Sequence, residues 1–96
     1  MRVKDDSVRI EKLVPELASR LDDIERIYNM FNVELVITSG NDGKHQNGSL
    51  HYNNAAVDLR VYHILDKLVQ LLRNELGSDF DVLLEKDHIH LEYDPK

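Results

Sequence analysis

DFDVLLEKDHIHLEY, residues 79–93, has the pattern of two short strands joined by a tight turn. Its second half, HIHLEY at 88–93, alternates polar and apolar side chains, and a period of two indicates a strand with one buried face. Its first half, DFDVLLE at 79–85, is also rich in apolar residues, and only Lys86 and Asp87 separate the halves. This spacing predicts two strands that are joined directly and lie antiparallel in a sheet.

Two amphipathic helices and two further strands are predicted on the N-terminal side of this stretch. Leucine, isoleucine and aromatic residues recur at three- and four-residue steps in two segments, which is the helical period. Pro15 suits a first helical turn, and Gly77 suits a C-terminal cap. The predicted bounds are helices over about 14–31 and 61–76, strands over 33–39 and 55–60, and a loop over 40–54. The fold class is therefore α+β, with two helices and a small, mainly antiparallel sheet.

The length and composition of the chain are those of one small globular domain. Its 96 residues are expected to form a single domain over 1–96, with 1–12 as an arm or a short strand. The 42% hydrophobic content argues against disorder, and the absence of cysteine excludes a disulfide scaffold. Because the net charge is −6 and the basic residues are scattered, we expect no nucleic-acid partner. No apolar run approaches the roughly 18 residues of a membrane helix, so we expect no membrane insertion, and we favour a monomer.

Polar side chains on two predicted strands point to a metal site. The face of the last strand opposite its apolar residues carries three titratable residues: His88, His90 and Glu92. The same alternation separates Asp58 from the apolar residues of strand 55–60. If the two strands are neighbours, Asp58 and His90 converge, and His51 reaches the same point from the loop. Two imidazoles and one carboxylate suit zinc and leave its fourth position open, as in catalytic sites.

A zinc site of this type needs a nearby carboxylate to take the proton of an attacking water. Asp87, three residues before His90, is the best placed, and Glu85 and Glu92 are weaker candidates. A simpler alternative stays open. Exposed strands often carry histidine pairs without a function, and GSLHYNNAAVDLR, residues 48–60, also suits an ordinary turn.

Two stretches, SLHYNNAAVD at 49–58 and DHIHLEY at 87–93, resemble the motifs of the zinc D-Ala-D-Ala carboxypeptidase family, which includes phage L-alanyl-D-glutamate endopeptidase endolysins. The first resembles S-x-H-x-x-G-x-A-x-D, and the second resembles a motif with an acidic residue three before the last histidine ligand. ITSG at 37–40 and DGKH at 42–45 are also similar to small phage members. The resemblance runs from about Val14 to the C-terminus, and it implies the Hedgehog/DD-peptidase-like fold.

The resemblance implies three zinc ligands: His51, Asp58 and His90. It also implies Asp87 as the general base, where many members have Glu. His88 resembles a residue that steadies the transition state in related zinc peptidases, and Ser49 would orient a ligand.

The chain departs from the family pattern at two places. The motif glycine falls on Asn54, and asparagine tolerates a left-handed backbone better than most residues. The family's arginine ahead of the first motif has no clear match, since Lys44 is the only cation between Val33 and Ser49. Three residues are candidate substitutes for it: His45, Arg60 and His88.

The resemblance implies a Zn²⁺ metallopeptidase that degrades the cell wall in phage or prophage lysis. Its substrate would be a peptidoglycan stem peptide, cut at the D-Ala-D-Ala terminus or at the L-Ala–D-Glu bond. The first residues, MRVKDDSVRI, have no apolar signal region, so we expect a cytoplasmic protein that reaches the wall after release. Two alternatives remain: a non-catalytic, zinc-containing binding module on the same fold, and a metal-free structural protein.

Overall fold

The fold is built on one β-sheet. The computed structural model describes residues 1–40, 54–63 and 65–95 of the chain. Within them the sheet has five strands: β1 (Arg2–Val3), β2 (Val36–Ser39), β3 (Ala56–Arg60), β4 (Phe80–Leu84) and β5 (His88–Tyr93). Their spatial order is β1-β2-β3-β5-β4. Only the β1–β2 pair is parallel, so the predicted, mainly antiparallel sheet is confirmed.

The predicted strand pair at 79–93 is confirmed as a β-hairpin. β4 and β5 pair without a bulge, from Phe80 opposite Tyr93 to Leu84 opposite Ile89. The backbone N–H of Glu85 donates to the carbonyl of His88 at 2.9 Å, which closes the turn. Because β5 also pairs with β3, the histidine-bearing strand lies in the interior of the sheet rather than at its edge.

The described residues form two main helices, as predicted, and a single preceding turn: α1 (Pro15–Ala18), α2 (Leu21–Met30) and α3 (Leu65–Leu76). The predicted helix over 14–31 is therefore interrupted between α1 and α2. At the junction, the Arg20 guanidinium donates to the carbonyl of Glu75 at 2.7 Å, near the end of α3. This tertiary contact accompanies an interruption that the local sequence pattern does not predict.

Left-handed residues end both main helices. Asn32 follows α2 with a φ of 58°, and the N–H of Val33 reaches back to the carbonyl of Tyr28 at 3.3 Å. This closing turn uses the residues that were predicted to begin the strand at 33, so β2 starts later. Gly77 has a φ of 82°, and its N–H donates to the carbonyl of Arg73 at 3.0 Å, which confirms the predicted C-terminal cap of α3.

The hydrophobic core lies between the helices and one face of the sheet. Its fully buried members come from β2 and the residue before it, from β3 and β5, and from all three helices: Leu17, Ile24, Tyr28, Leu35, Ile37, Val57, Leu59, Leu68, Leu72, Ile89 and Leu91. The predicted apolar faces of the strands are thus confirmed. The Tyr28 hydroxyl donates to the carbonyl of Arg60 at 2.9 Å, so the one polar atom of that buried ring is satisfied.

The N-terminal residues pack against β2 instead of forming a loose arm. Lys4 donates its N–H to the carbonyl of Ile37 at 2.9 Å, next to the short strand β1. Further along, Arg9 lies so close to Gly40 that a Cβ atom on Gly40 would stand 1.9 Å from the Arg9 carbonyl oxygen. Of the two expectations for residues 1–12, the short strand is the one the structure contains.

Strand β4 lies at one edge of the sheet, opposite the edge formed by β1. A side chain from α3 covers part of β4. The Arg73 guanidinium donates twice to the carbonyl of Val82, at 3.1 Å from Nε and 2.8 Å from Nη2. In the described ranges, no helix combines the length and the apolar content needed to cross a membrane.

Candidate metal centre

Asp58 and His90 meet on the face of the sheet opposite the core. They are direct partners in the β3–β5 register, which brings their side chains to the same face. The Nδ1 atom of His90 lies 3.0 Å from Oδ1 of Asp58, and their side chains are only 17% and 15% exposed. The predicted convergence of these two residues is therefore present in the fold, and both strands that hold them are interior strands.

His90 is held by carboxylates at both of its ring nitrogens. Its Nε2 atom lies 2.8 Å from Oε1 of Glu92, two residues along the same strand face. The hydrogen bond to Asp58 raises the pKa of the His90 imidazole above its ordinary value; burial opposes this shift, and Glu92 adds to it. In the metal-free protein at low pH, the doubly protonated ring can donate to both carboxylates.

His88 forms a second imidazole–carboxylate pair beside the first. Its Nδ1 atom lies 2.6 Å from Oδ1 of Asp87, and its Nε2 atom lies 3.7 Å from the same Asp58 oxygen that contacts His90. The hydrogen bond with His88 lowers the pKa of the Asp87 carboxyl, whose side chain is 85% exposed. His88 thus stands between the predicted base, Asp87, and the predicted ligand, Asp58.

The donor atoms of Asp58 and His90 can be compared with two neighbouring ligand positions of a zinc ion. Zinc binds nitrogen and oxygen ligands at about 2.0–2.2 Å, so neighbouring ligand atoms of a tetrahedral site lie roughly 3.3–3.6 Å apart. The observed 3.0 Å separation of His90 Nδ1 and Asp58 Oδ1 is that of a hydrogen bond and is slightly shorter than this range. One imidazole nitrogen and one carboxylate oxygen are also donor types that zinc accepts.

A separate cluster of carboxylates lies at the end of the same face. Ligand atoms of Asp81, Glu92 and Asp94 all lie within 4.8 Å of one another in the described part of the chain. The cluster is partly exposed and contains no histidine, and exposed acidic groups of this kind are common without an ion. It gives no support to zinc.

Several predicted residues fall outside the described ranges. They are the third ligand His51, the orienting Ser49, and His45, a candidate substitute for the missing arginine. Their roles stay predictions. Arg60, another candidate for the arginine's role, lies directly opposite His88 in the β3–β5 register and on the same face.

Asn54 adopts the backbone that the motif position requires. Its φ of 61° is left-handed, as predicted for the residue in place of the motif glycine. Its carbonyl accepts a hydrogen bond of 2.8 Å from the N–H of Val14, which ties the start of β3 to the entry of α1.

Glu92 is predicted from the sequence only as a weaker base candidate, and its contact with His90 is an additional finding of the structure. The signal that predicts this contact is the spacing of two residues on one strand, which places both side chains on the same face. Glu85, the other weaker candidate, uses its backbone N–H to close the hairpin turn, and its side chain is exposed.

No protein-family model matches this chain, and no curated protein matches it either. The resemblance to zinc carboxypeptidases therefore depends on the motif residues and on how the fold arranges them.

Proposed function

We propose that this protein is a zinc-dependent peptidase that hydrolyses an amide bond in peptidoglycan stem peptides. The observation that carries the proposal is the 3.0 Å approach of His90 Nδ1 to Asp58 Oδ1 across two interior strands. These are the residues that the two motifs single out as ligands, although the motifs lie on segments that are separated in the chain.

Asp58 and His90 would hold the metal, with His51 as the predicted third ligand. Bound there, zinc would polarise the carbonyl of the substrate amide and make an attacking water more acidic. The Asp58 oxygen that would bind the metal also lies 3.7 Å from Nε2 of His88.

Asp87 would move the proton, and its partner His88 would stabilise the developing charge. The 2.6 Å hydrogen bond joins them into a pair, and His88 Nε2 faces Asp58. As the general base, Asp87 takes a proton from the attacking water and passes it to the nitrogen of the leaving amine as the C–N bond breaks. The hydrogen bond with His88 lowers the pKa of Asp87, which keeps its carboxylate ionised but also makes it a weaker base. His88, held by Asp87, would stabilise the charge that develops on the carbonyl oxygen.

The substrate assignment follows from the family resemblance, which offers the D-Ala-D-Ala terminus and the L-Ala–D-Glu bond. The candidate centre itself lies on the sheet face opposite the helix-covered core.

A digest of purified peptidoglycan tests the proposal. The full chain is incubated with the wall material, with and without a chelator, and the released fragments are identified by mass spectrometry. We expect peptide fragments that disappear with the chelator and return with added zinc, and their masses name the bond. Asp58→Asn should lose both zinc and activity, whereas Asp87→Asn should keep zinc and lose activity.

His63 supplies the matched control, because it is an exposed histidine outside the candidate centre. His63→Gln should digest the wall like the unaltered protein. Stoichiometric zinc without any fragments from several wall types would instead indicate the non-catalytic binding module. Absence of stoichiometric metal would indicate a metal-free structural protein.

A further inference from the structure

We infer that Glu92 is a positioning residue of the metal centre: it holds Nε2 of His90 so that Nδ1 is the atom presented to the metal beside Asp58. This inference rests on the proposed zinc site and assigns a role to a residue outside its ligand set.

The contacts of His90 are the basis for this assignment. One imidazole lies between two carboxylates, with Nδ1 at 3.0 Å from Asp58 and Nε2 at 2.8 Å from Glu92. All three side chains are at least four-fifths buried, since their exposed fractions are 15–17%. Only one of the two carboxylates, Asp58, lies on the neighbouring strand β3, where it can share a metal ion with the ring.

The chemistry of imidazole gives Glu92 its effect. A neutral imidazole offers one nitrogen to a metal while the other carries the hydrogen, and the partner of that N–H decides which nitrogen is which. A carboxylate that accepts this hydrogen fixes the ring orientation and makes the ligand nitrogen more basic. Without Glu92, the His90 ring loses one of the contacts that oppose its rotation about the Cβ–Cγ bond.

A competing explanation is that Glu92 affects zinc affinity only through its negative charge and not through its contact with His90. Asp81 offers a control for this, because it is the direct cross-strand partner of Glu92 on the same face and belongs to the same carboxylate cluster. Asp81→Asn removes one negative charge from this neighbourhood and leaves the contact between Glu92 and His90 in place.

The test measures zinc affinity by competition with a chromophoric chelator in the full chain and three variants. We expect Glu92→Ala to weaken zinc binding about 10- to 100-fold, as is typical for partners that orient a metal-ligating histidine. Glu92→Gln should lose less, because its amide oxygen can still accept the Nε2 hydrogen. Asp81→Asn should stay within about 3-fold of the unaltered protein, since partly exposed charges are well screened.

Two results would overturn the role of Glu92 while leaving the zinc site intact. One is unchanged zinc affinity in Glu92→Ala, and the other is an equal loss in Glu92→Ala and Asp81→Asn. If the unaltered chain itself binds no zinc, the inference and the proposed function fail together. If it binds zinc but digests no wall, only the catalytic proposal fails.

A second readout does not depend on how much the variants are destabilised. In the zinc-loaded protein, long-range proton–nitrogen NMR spectra of the His90 ring should show a protonated Nε2 and a metal-bound Nδ1. The opposite assignment would refute the inference. Circular dichroism of each metal-free variant checks that the affinities compare folded proteins.

Discussion

One added methyl group at Gly40 is expected to destabilise this protein strongly. Gly40 lies just after β2, where the segment around Arg9 crosses it. A Cβ atom built on Gly40 would stand 1.9 Å from the Arg9 carbonyl oxygen and 3.0 Å from its carbonyl carbon. Both obstacles are backbone atoms, so a change of side-chain rotamer cannot relieve the overlap. The two backbones would have to separate by about 1 Å or more to reach ordinary contact.

The cost follows from what this separation disturbs. Overpacking with backbone displacement costs typically 1–3 kcal/mol, and the severity of this overlap places Gly40→Ala at about 3 kcal/mol or more. For a domain of this size, each kcal/mol lowers the melting temperature by roughly 4–8 °C. We therefore expect a decrease of at least about 12 °C, measured by circular dichroism during heating.

Gly77 provides the matched control. An added Cβ there would meet nothing within 4 Å, but its φ of 82° is left-handed. Gly77→Ala should cost only about 1 kcal/mol, from backbone strain alone. A Gly40→Ala protein that melts within about 4 °C of the original, or that is more stable than Gly77→Ala, would show that Arg9 does not pack against Gly40 in solution.

Three further predictions concern the polar groups of the fold. Asn54→Ala should lower the free energy of unfolding in urea by about 1 kcal/mol because of the left-handed φ, whereas Asn54→Gly should change it by less than half as much; equal losses would contradict the conformational explanation. Tyr28→Phe should cost about 1 kcal/mol, since the carbonyl of Arg60 loses a buried donor, and an unchanged unfolding midpoint would contradict this. His90 has a raised pKa in the folded state, so protonated His90 stabilises the folded protein. This contribution to the free energy of unfolding is fully present below the ordinary pKa of 6.5 and is lost as the pH rises through the folded-state pKa. With a chelator present, the free energy of unfolding of the metal-free protein should therefore decrease as the pH rises over that window. His90→Gln should remove this pH dependence. If the variant shows the same dependence of unfolding free energy on pH, His90 is not its source.

The periodic patterns predicted most of the fold because burial enforces them. The alternation in β5 assigned Ile89 and Leu91 to the core and His90 to the opposite face, and the observed burial agrees. The helical spacing around Leu72 likewise predicted α3, because an apolar stripe must face a core.

The boundaries that the sequence did not predict depend on tertiary contacts. Nothing between Ala18 and Leu21 is a strong helix breaker, yet Arg20 contacts the end of α3 at this point and the helix is interrupted. The late start of β2 has a similar origin, since Val33 closes the end of α2.

The candidate site could be predicted only in part, because its geometry also depends on tertiary contacts. Alternation fixes which face Asp58 and His90 occupy, but it does not fix which residues stand opposite each other. The register that pairs them is a property of the whole sheet, and the distance between their side chains is visible only once the strands are placed. The contact of Glu92 with His90 is local, and the spacing of the two residues was sufficient to suggest it.

The two hydrogen bonds from Arg73 to Val82 also bear on how this protein behaves at high concentration. An edge strand presents backbone groups that can recruit a strand from another molecule, and exposed leucines on such a strand increase the tendency to aggregate. β4 carries two of these, Leu83 and Leu84, which are 44% and 41% exposed. By occupying the Val82 carbonyl with a charged group, Arg73 removes one of the acceptors that an incoming strand would need and places a bulky cation across its path.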